Sequence, residues 1–250
     1  VSVESQPAGR RRVGRTTEGR RQLRRGLTVA AIDLFLESGY ENTTVDDIAA
    51  AAGVGRRTFF RYFRSKEDAI FPSHDEVLRD IERLFDEADD SQHPVEVACA
   101  GVTLVLDSYL SDPDVSVKRY TLTRTVAPLR DKEVASVDRY QRVLARYLRG
   151  RFETDGEPLP DLRASVAAAA VAAANNHVLR RWLRNGGTED AHALADKAFR
   201  LVVDAFSATS RGSTGATDDT VIAVLRSSAP LAEVVQRISS SLATGERDTP

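Results

Sequence analysis

Apolar residues recur along this chain at intervals of three and four, and almost nowhere in strict alternation. From Gly19 to about Ser38, Leu23, Leu27, Ala30, Ala31 and Leu34 mark one face of a helix. Gly39 follows as the residue that stops it. A second helix is predicted from Thr44 to about Ala52, because Thr44 with Asp47 three positions on is a shortened capping box. Gly53-Val54-Gly55 reads as a tight turn, and a third helix covers about Arg56 to Phe63. Ser65 is placed to cap a fourth, starting at Lys66. Helices are then predicted near 66–87, 94–111, 113–125, 130–152, 161–184 and 188–209. Pro94, Pro113, Pro128 and Pro160 stand at or near their starts, where a missing N–H costs nothing, and Thr188-Glu189-Asp190 signals the last start. The expected fold class is all-α. A linker is predicted at 210–217, followed by an amphipathic stripe of Leu231, Val234, Val235, Ile238 and Leu242.

Charge divides the chain more sharply than hydropathy does. Residues 1–66 carry 13 Lys and Arg against 7 Asp and Glu; residues 67–250 carry 22 against 30. A basic head on an acidic body suits a head that meets a polyanion, although a solvated basic tail would give the same balance. No apolar run reaches the ~18–20 residues that span a bilayer, and the Arg-rich N-terminus lacks the apolar stretch of a secretory signal. The single cysteine, Cys99, excludes an intramolecular disulfide and a cysteine-based zinc cluster. The expectation is a soluble cytoplasmic protein with no membrane partner and no cofactor.

The informative stretch is Thr43–Asp68, TTVDDIAAAAGVGRRTFFRYFRSKED. It reads as helix, glycine turn, helix. Ala49 lets the two helices approach, Val54 fills the angle between them, and Phe59 and Phe63, four apart, face inward with Leu34, Phe35 and Ile48. The opposite face of the third helix then presents Arg56, Arg57, Thr58, Arg61 and Tyr62. A short rigid helix of that character fits the DNA major groove, where arginine bonds guanine O6 and N7. Lys66, opening the next helix, is suited to a phosphate. Arg61 and Arg64 also have a plainer reading as solvated surface.

Residues 20–71 resemble the DNA-binding domain of the tetracycline-repressor (TetR) family: a Thr-capped second helix ending in Ala-Gly-Val, then Thr58-Phe59-Phe60, Tyr62-Phe63, and Ser65-Lys66-Glu67. The resemblance implies base contacts from Arg56, Arg57 and Arg61, and phosphate contacts from Thr44, Thr58, Tyr62 and Lys66. Two positions depart from the pattern. Phe60 stands where a tyrosine hydroxyl is common, and Gly55 where a serine is. Arg10–Arg15 and Arg20–Arg25 form a basic arm suited to counterion release or a minor groove. The implied layout is a disordered arm (1–18), a three-helix helix-turn-helix domain (19–66), a helical effector-binding and dimerisation domain (67–209), and a linker with an amphipathic tail (210–250).

That resemblance also implies a homodimer on palindromic operator DNA, paired through the last two long helices, and an effector pocket among the middle ones. The alanine-rich run Val166–Ala174 allows close helix approach, and Leu194, Ala198, Leu201, Val202, Ala205 and Phe206 form a wide apolar face. Intramolecular packing would also produce both. Asn175-Asn176-His177 interrupts nine small apolar residues before Trp182. Buried amides and imidazoles cost energy unless bonded, so they face a cavity or find internal partners. Tyr109, Tyr120 and Arg124 complete the candidate effector contacts, and Cys99 reads as a small core residue before a sensor thiol. Basic residues between Lys118 and Arg151 favour an anionic or acyl effector, or else form surface ion pairs. No hydrolase, zinc or nucleotide motif occurs, so no catalysis is expected. The function read from the chain is a ligand-responsive transcriptional regulator of repressor type, with a sequence-nonspecific architectural DNA binder as the alternative. Helix 66–87 is the expected carrier of any ligand signal to the DNA.

Overall fold

The computed structural model describes residues 17–210. The arginines at 10–15, the 210–217 linker beyond Ser210 and the stripe at 231–242 lie outside the described residues. Within them the chain is helical, without a strand: α1 (Thr17–Glu37), α2 (Val45–Ala51), α3 (Arg56–Tyr62), α4 (His74–Glu87), α5 (Pro94–Leu110), α6 (Pro113–Thr125), α7 (Ala127–Thr154), α8 (Pro160–Arg184) and α9 (Ala191–Ser210). No single helix among them is long and apolar enough to cross a membrane.

Local chemistry explains most of the boundaries. Gly39 closes α1 at φ 86°, a conformation costly for any residue with a Cβ. At the start of α2, the Thr44 hydroxyl accepts from the Asp47 N–H at 3.2 Å, and the Asp47 carboxylate accepts from the Thr44 N–H at 2.9 Å. The Thr44 hydroxyl, and then the Thr44 N–H, donate to the Asp47 carboxylate and hold that carboxyl below its usual range. Gly53, at φ 68°, turns the chain, and Gly55 begins α3 without any side-chain cap.

Two predicted boundaries are corrected. Instead of one helix over 66–87, there is a single 3₁₀ turn, Asp68–Ile70, then an extended break, then α4. Pro72 is the cause: the residue before a proline is pushed out of the α region, and Phe71 sits at φ −95°, ψ 152°. Ser65 accordingly serves only the short turn, accepting from Asp68 N–H at 3.4 Å. The last helix starts at Ala191, because the Asp190 carboxylate accepts from Ala193 N–H at 3.0 Å, while the Thr188 hydroxyl turns back to the Asn185 carbonyl.

Two cores result. In the head, Leu27, Ile32 and Phe35 of α1 enclose Ile48, Phe59, Phe63 and Phe71. Val115 and Leu122 of α6 and Leu129 of α7 complete that core, so α6 packs on the head as well as on the body. Two ion pairs reinforce this joint, Arg25–Asp112 at 2.6 Å and Lys118–Asp33 at 2.7 Å. In the body, α5 is buried on several sides between α4, α7, α8 and α9, and α7 and α8 pack along each other. The small side chains of Ala164, Ala167, Ala168 and Ala172 make that approach possible.

Candidate nucleic-acid interface and effector cavity

The inner edge of α3 is fixed by Phe59, which is fully buried, and by Phe63 just after the helix, nearly so. With that edge inside, Arg56, Arg57, Phe60 and Arg61 face outward. Arg57 is engaged by no other described residue. Arg56 donates to Asp46 of α2 at 2.8 Å and lies over the Phe60 ring at 5.2 Å. Arg61 lies over the Tyr62 ring at 5.5 Å, and Thr58 is half-buried on the flank. The face is a cationic ridge about two turns long, its arginines held loosely enough to re-aim.

Three predicted phosphate contacts sit differently. The Tyr62 hydroxyl is buried and without a hydrogen-bond partner among the described residues. Lys66 opens no helix. Its ammonium donates to the carbonyls of Tyr40 at 2.7 Å and Thr43 at 3.0 Å and stands 4.0 Å from the Tyr40 ring centroid. It staples the α1–α2 loop and keeps one donor over. The Thr44 hydroxyl spends its proton on Asp47 at 2.6 Å. The stated departures have their expected local effect: Phe60 offers a half-exposed ring without a hydroxyl, and Gly55 leaves the end of α3 uncapped.

Of the candidate effector residues, Asn175, Asn176 and Tyr109 line one small chamber of about 40 Å³ between α4, α5, α7 and α8. Asn175 is 4 % exposed and its Oδ1 has no partner. The others are elsewhere. His177 is exposed on the outer side of α8, because two helical positions past Asn175 is roughly 200° around the axis. Trp182 is core, packed against Gly187. Tyr120 and Arg124 stack on each other at 5.6 Å, with Arg124 exposed. Cys99 is buried, and burial pushes its thiol up to about 12, so it carries no thiolate.

The chamber has members that sequence spacing did not reveal. His74 Nδ1 and the Tyr140 hydroxyl share a hydrogen bond of 2.7 Å, across 66 residues of chain. Burial, then the charges of Arg119 and Arg139, bring the His74 imidazole down to about 4, so it is neutral. Ser136 and Glu133 of α7 also line the wall. Behind it lies Arg119, only 6 % exposed. Its guanidinium donates to the Ile70 carbonyl and to Ser116 Oγ and stands 5.1 Å from the Tyr109 ring centroid, with no ion-pair partner among the described residues. Burial lowers its pKa and holds the Tyr109 phenol up at about 12.

Comparison with known proteins finds two family models along the chain. Residues 27–70 match the family model described as bacterial regulatory proteins, tetR family, and residues 93–207 match the MftR C-terminal domain. The mycofactocin biosynthesis transcriptional regulator MftR of Mycobacterium tuberculosis is 26% identical over 70% of this chain and 87% of its own length. The HTH-type transcriptional regulator TcmR of Streptomyces glaucescens is 28% identical over 74% of this chain and 82% of its own. The crystal structure of FadR from Bacillus subtilis in complex with stearoyl-CoA shares the fold, with a TM-score of 0.50 at 21% identity, covering 72% of this chain and 97% of that one. With a helix-turn-helix head, an all-helical body and both family models in register, the chain belongs to the TetR family of helix-turn-helix transcriptional regulators.

Proposed function

We propose that this regulator binds a palindromic operator as a homodimer, through Arg56, Arg57 and Arg61, and that a small-molecule effector entering the body releases it. The observation that carries the reading is the exposed cationic face of α3, where Arg57 has no partner among the described residues. A single half-site read by three side chains discriminates poorly, and a two-fold pair squares that discrimination. The outer side of α8 supplies a surface for such pairing. Leu162, Val166, Ala169, Ala173 and His177 follow at helical spacing and all are exposed. On α9, Leu201 is 74 % exposed, next to exposed Ala205. Water-facing leucines on adjacent helices favour a covering partner.

The chamber suits an effector only by opening. Its 40 Å³ is well below the ~300 Å³ at which ligand pockets begin. A ligand there has to displace the His74–Tyr140 bond, and with it α4 against α7. An acyl or organic-acid effector is the class favoured, given the apolar wall and the buried guanidinium behind it. The stearoyl-CoA in the Bacillus subtilis structure is that protein's ligand. Because α6 packs on the head while the chain is extended at Phe71-Pro72 before α4 begins, the signal runs through α6 and the 70–73 segment rather than a continuous 66–87 helix. A coupling of ~1–3 kcal/mol changes operator affinity about 5- to 150-fold.

The test is operator selection from random duplexes at physiological salt, with sedimentation of the free protein. The expected result is an enriched palindrome and a mass twice the 27.4 kDa chain. Leu201→Glu is expected to give monomer and lose the palindrome. Equal affinity for every duplex would replace this reading with an architectural binder.

A further inference from the structure

Where head meets body there is a second, larger cavity of about 410 Å³. Its walls come from α1, the segment after α3, the start of α4, and α7, so nothing can occupy it without touching both parts of the molecule. Four cations line it, Arg24, Arg64, Lys132 and Arg139, against two carboxylates, Asp68 and Asp75. Lys132 is paired with Asp68. Asp75 is shared, receiving Arg139 at 2.6 Å and Arg64 at 3.8 Å. Arg24 has no carboxylate at contact distance among the described residues. Its guanidinium donates to the carbonyls of Tyr62 at 3.2 Å and Phe71 at 3.4 Å and lies over the Phe63 ring. Arg119 adds a further buried cation behind the Ile70 carbonyl. Two lining residues, Tyr62 and His74, have buried polar atoms, Oη and Nε2, without partners.

A built cavity with surplus cations and unused polar groups is short of an anion. We propose that the hinge cavity is an anion site, taking the carboxylate or phosphate head of a small organic molecule between Arg24, Arg64 and Arg139. Asp75 now fills that role from the rim, and an incoming anion competes with it. His74 and Ser136 line both this cavity and the inner chamber, so a tail on such a ligand points at the chamber wall. This deepens the effector reading and rests on it: the head group bridges α1 to α7 and biases where the recognition helix sits.

The experiment is calorimetric titration of the full chain with inorganic phosphate and, separately, with hexanoate. Chloride holds the ionic strength constant throughout. Asp75→Asn removes the competing carboxylate and is expected to tighten binding about tenfold. Arg139→Gln removes a donor and is expected to weaken it about tenfold. Opposite signs are the signature, since a folding defect moves both variants the same way. Phosphate binding alone assigns a phosphate head, and hexanoate alone a carboxylate with an apolar tail; either supports the site. Probe at a concentration just sufficient to saturate the parent is also expected to change operator affinity about 5- to 150-fold in the parent and by less in Arg139→Gln. Absence of binding by both probes at 10-millimolar scale, or same-direction shifts in the two variants, overturns the proposal. A sequence-specific operator complex that persists in that case leaves the DNA-binding reading intact and removes only the hinge site.

Discussion

The head and the body solve the problem of buried polarity in opposite ways. The head core is aromatic and branched, with Phe35, Phe59, Phe63 and Phe71 at its centre. Apart from the buried Tyr62 hydroxyl, its polar groups find partners: Thr44 with Asp47, Thr43 Oγ1 on the Gly39 carbonyl at 2.8 Å, Lys66 on the Tyr40 carbonyl. The body core is aliphatic and alanine-rich, yet it encloses Asn175 with an idle Oδ1, a neutral histidine, and an arginine held by carbonyl and hydroxyl oxygens and an aromatic ring without a carboxylate among the described residues. A satisfied core is stiff and has one arrangement. A core with unsatisfied groups has something to gain from a second arrangement, which is what a ligand-biased switch requires. On this comparison the head is the reader and the body, with its hinge, is the bistable part.

The largest expected effect tests whether the two cores are separate. Phe59→Ala empties a fully buried ring from the head and is expected to cost ~3–5 kcal/mol. Hydrogen exchange of the variant should show protection lost together in α1, α2, α3 and α6, because Val115 and Leu122 belong to the head core. Amides of α8 should keep theirs. Uniform loss across all helices would make the molecule one cooperative unit and dissolve the comparison.

The next effect belongs to the body alone. Burial brings the His74 imidazole down to about 4 in the fold, against 6.5 for a solvated imidazole, so the unfolded chain takes up its proton first as pH falls. The stability that the neutral ring contributes is fully present above about 6.5 and is lost progressively as pH drops toward 4, on the order of 3 kcal/mol in total. Thermal melts between pH 7 and 4.5 should therefore fall more steeply for the parent than for His74→Gln. The lowered carboxyls, Asp47 and Asp75, lose their contribution at lower pH, as pH falls below the ordinary carboxylate range, and so do not mimic it. Parallel pH slopes in the two proteins would mean that His74 is not held neutral.

How far each region was legible follows from the range of its interactions. Nearly all of the head is written in contacts of three to five residues, so the Thr44 cap, the glycine turn and the Phe59–Phe63 pair could be read directly. Longer-range placement was not legible: Lys66 bonds carbonyls 23 and 26 residues away, and the Tyr62 hydroxyl is buried beside the hinge cavity. In the body the helices were legible from prolines and apolar spacing, but their phase was not. A helix apolar on all sides, such as α8 through its alanine run, has no moment to say which way Asn175 or His177 points. His74 and Tyr140 meet only in the folded chain, and no spacing rule joins them. The readable part should also respond locally. Arg57→Ala, at a side chain engaged by nothing internal, is expected to cost ~1–3 kcal/mol of operator affinity and to relax base preference at one position, with folding unchanged. Competition binding against single-base operator variants measures both. A loss spread evenly over all sequences would move Arg57 to the phosphates.

The smallest effect decides what Lys66 does, and here the sequence and the structure make different forecasts. A lysine holding a phosphate contributes to binding at every sequence, and its removal lowers the salt slope by about 1 per subunit. A lysine whose ammonium bridges the carbonyls of Tyr40 and Thr43 contributes to the fold. Its removal leaves two partly buried acceptors with water as their only alternative, about 1 kcal/mol. For Lys66→Ala the structure predicts a lower melting temperature, an unchanged salt slope, and operator affinity that recovers fully once the fraction unfolded is taken into account. Fluorescence anisotropy at four or five salt concentrations, well below the melting point, separates the two. A slope reduced with stability intact would put the third ammonium proton on the DNA, and the stapled loop would then be part of the reader.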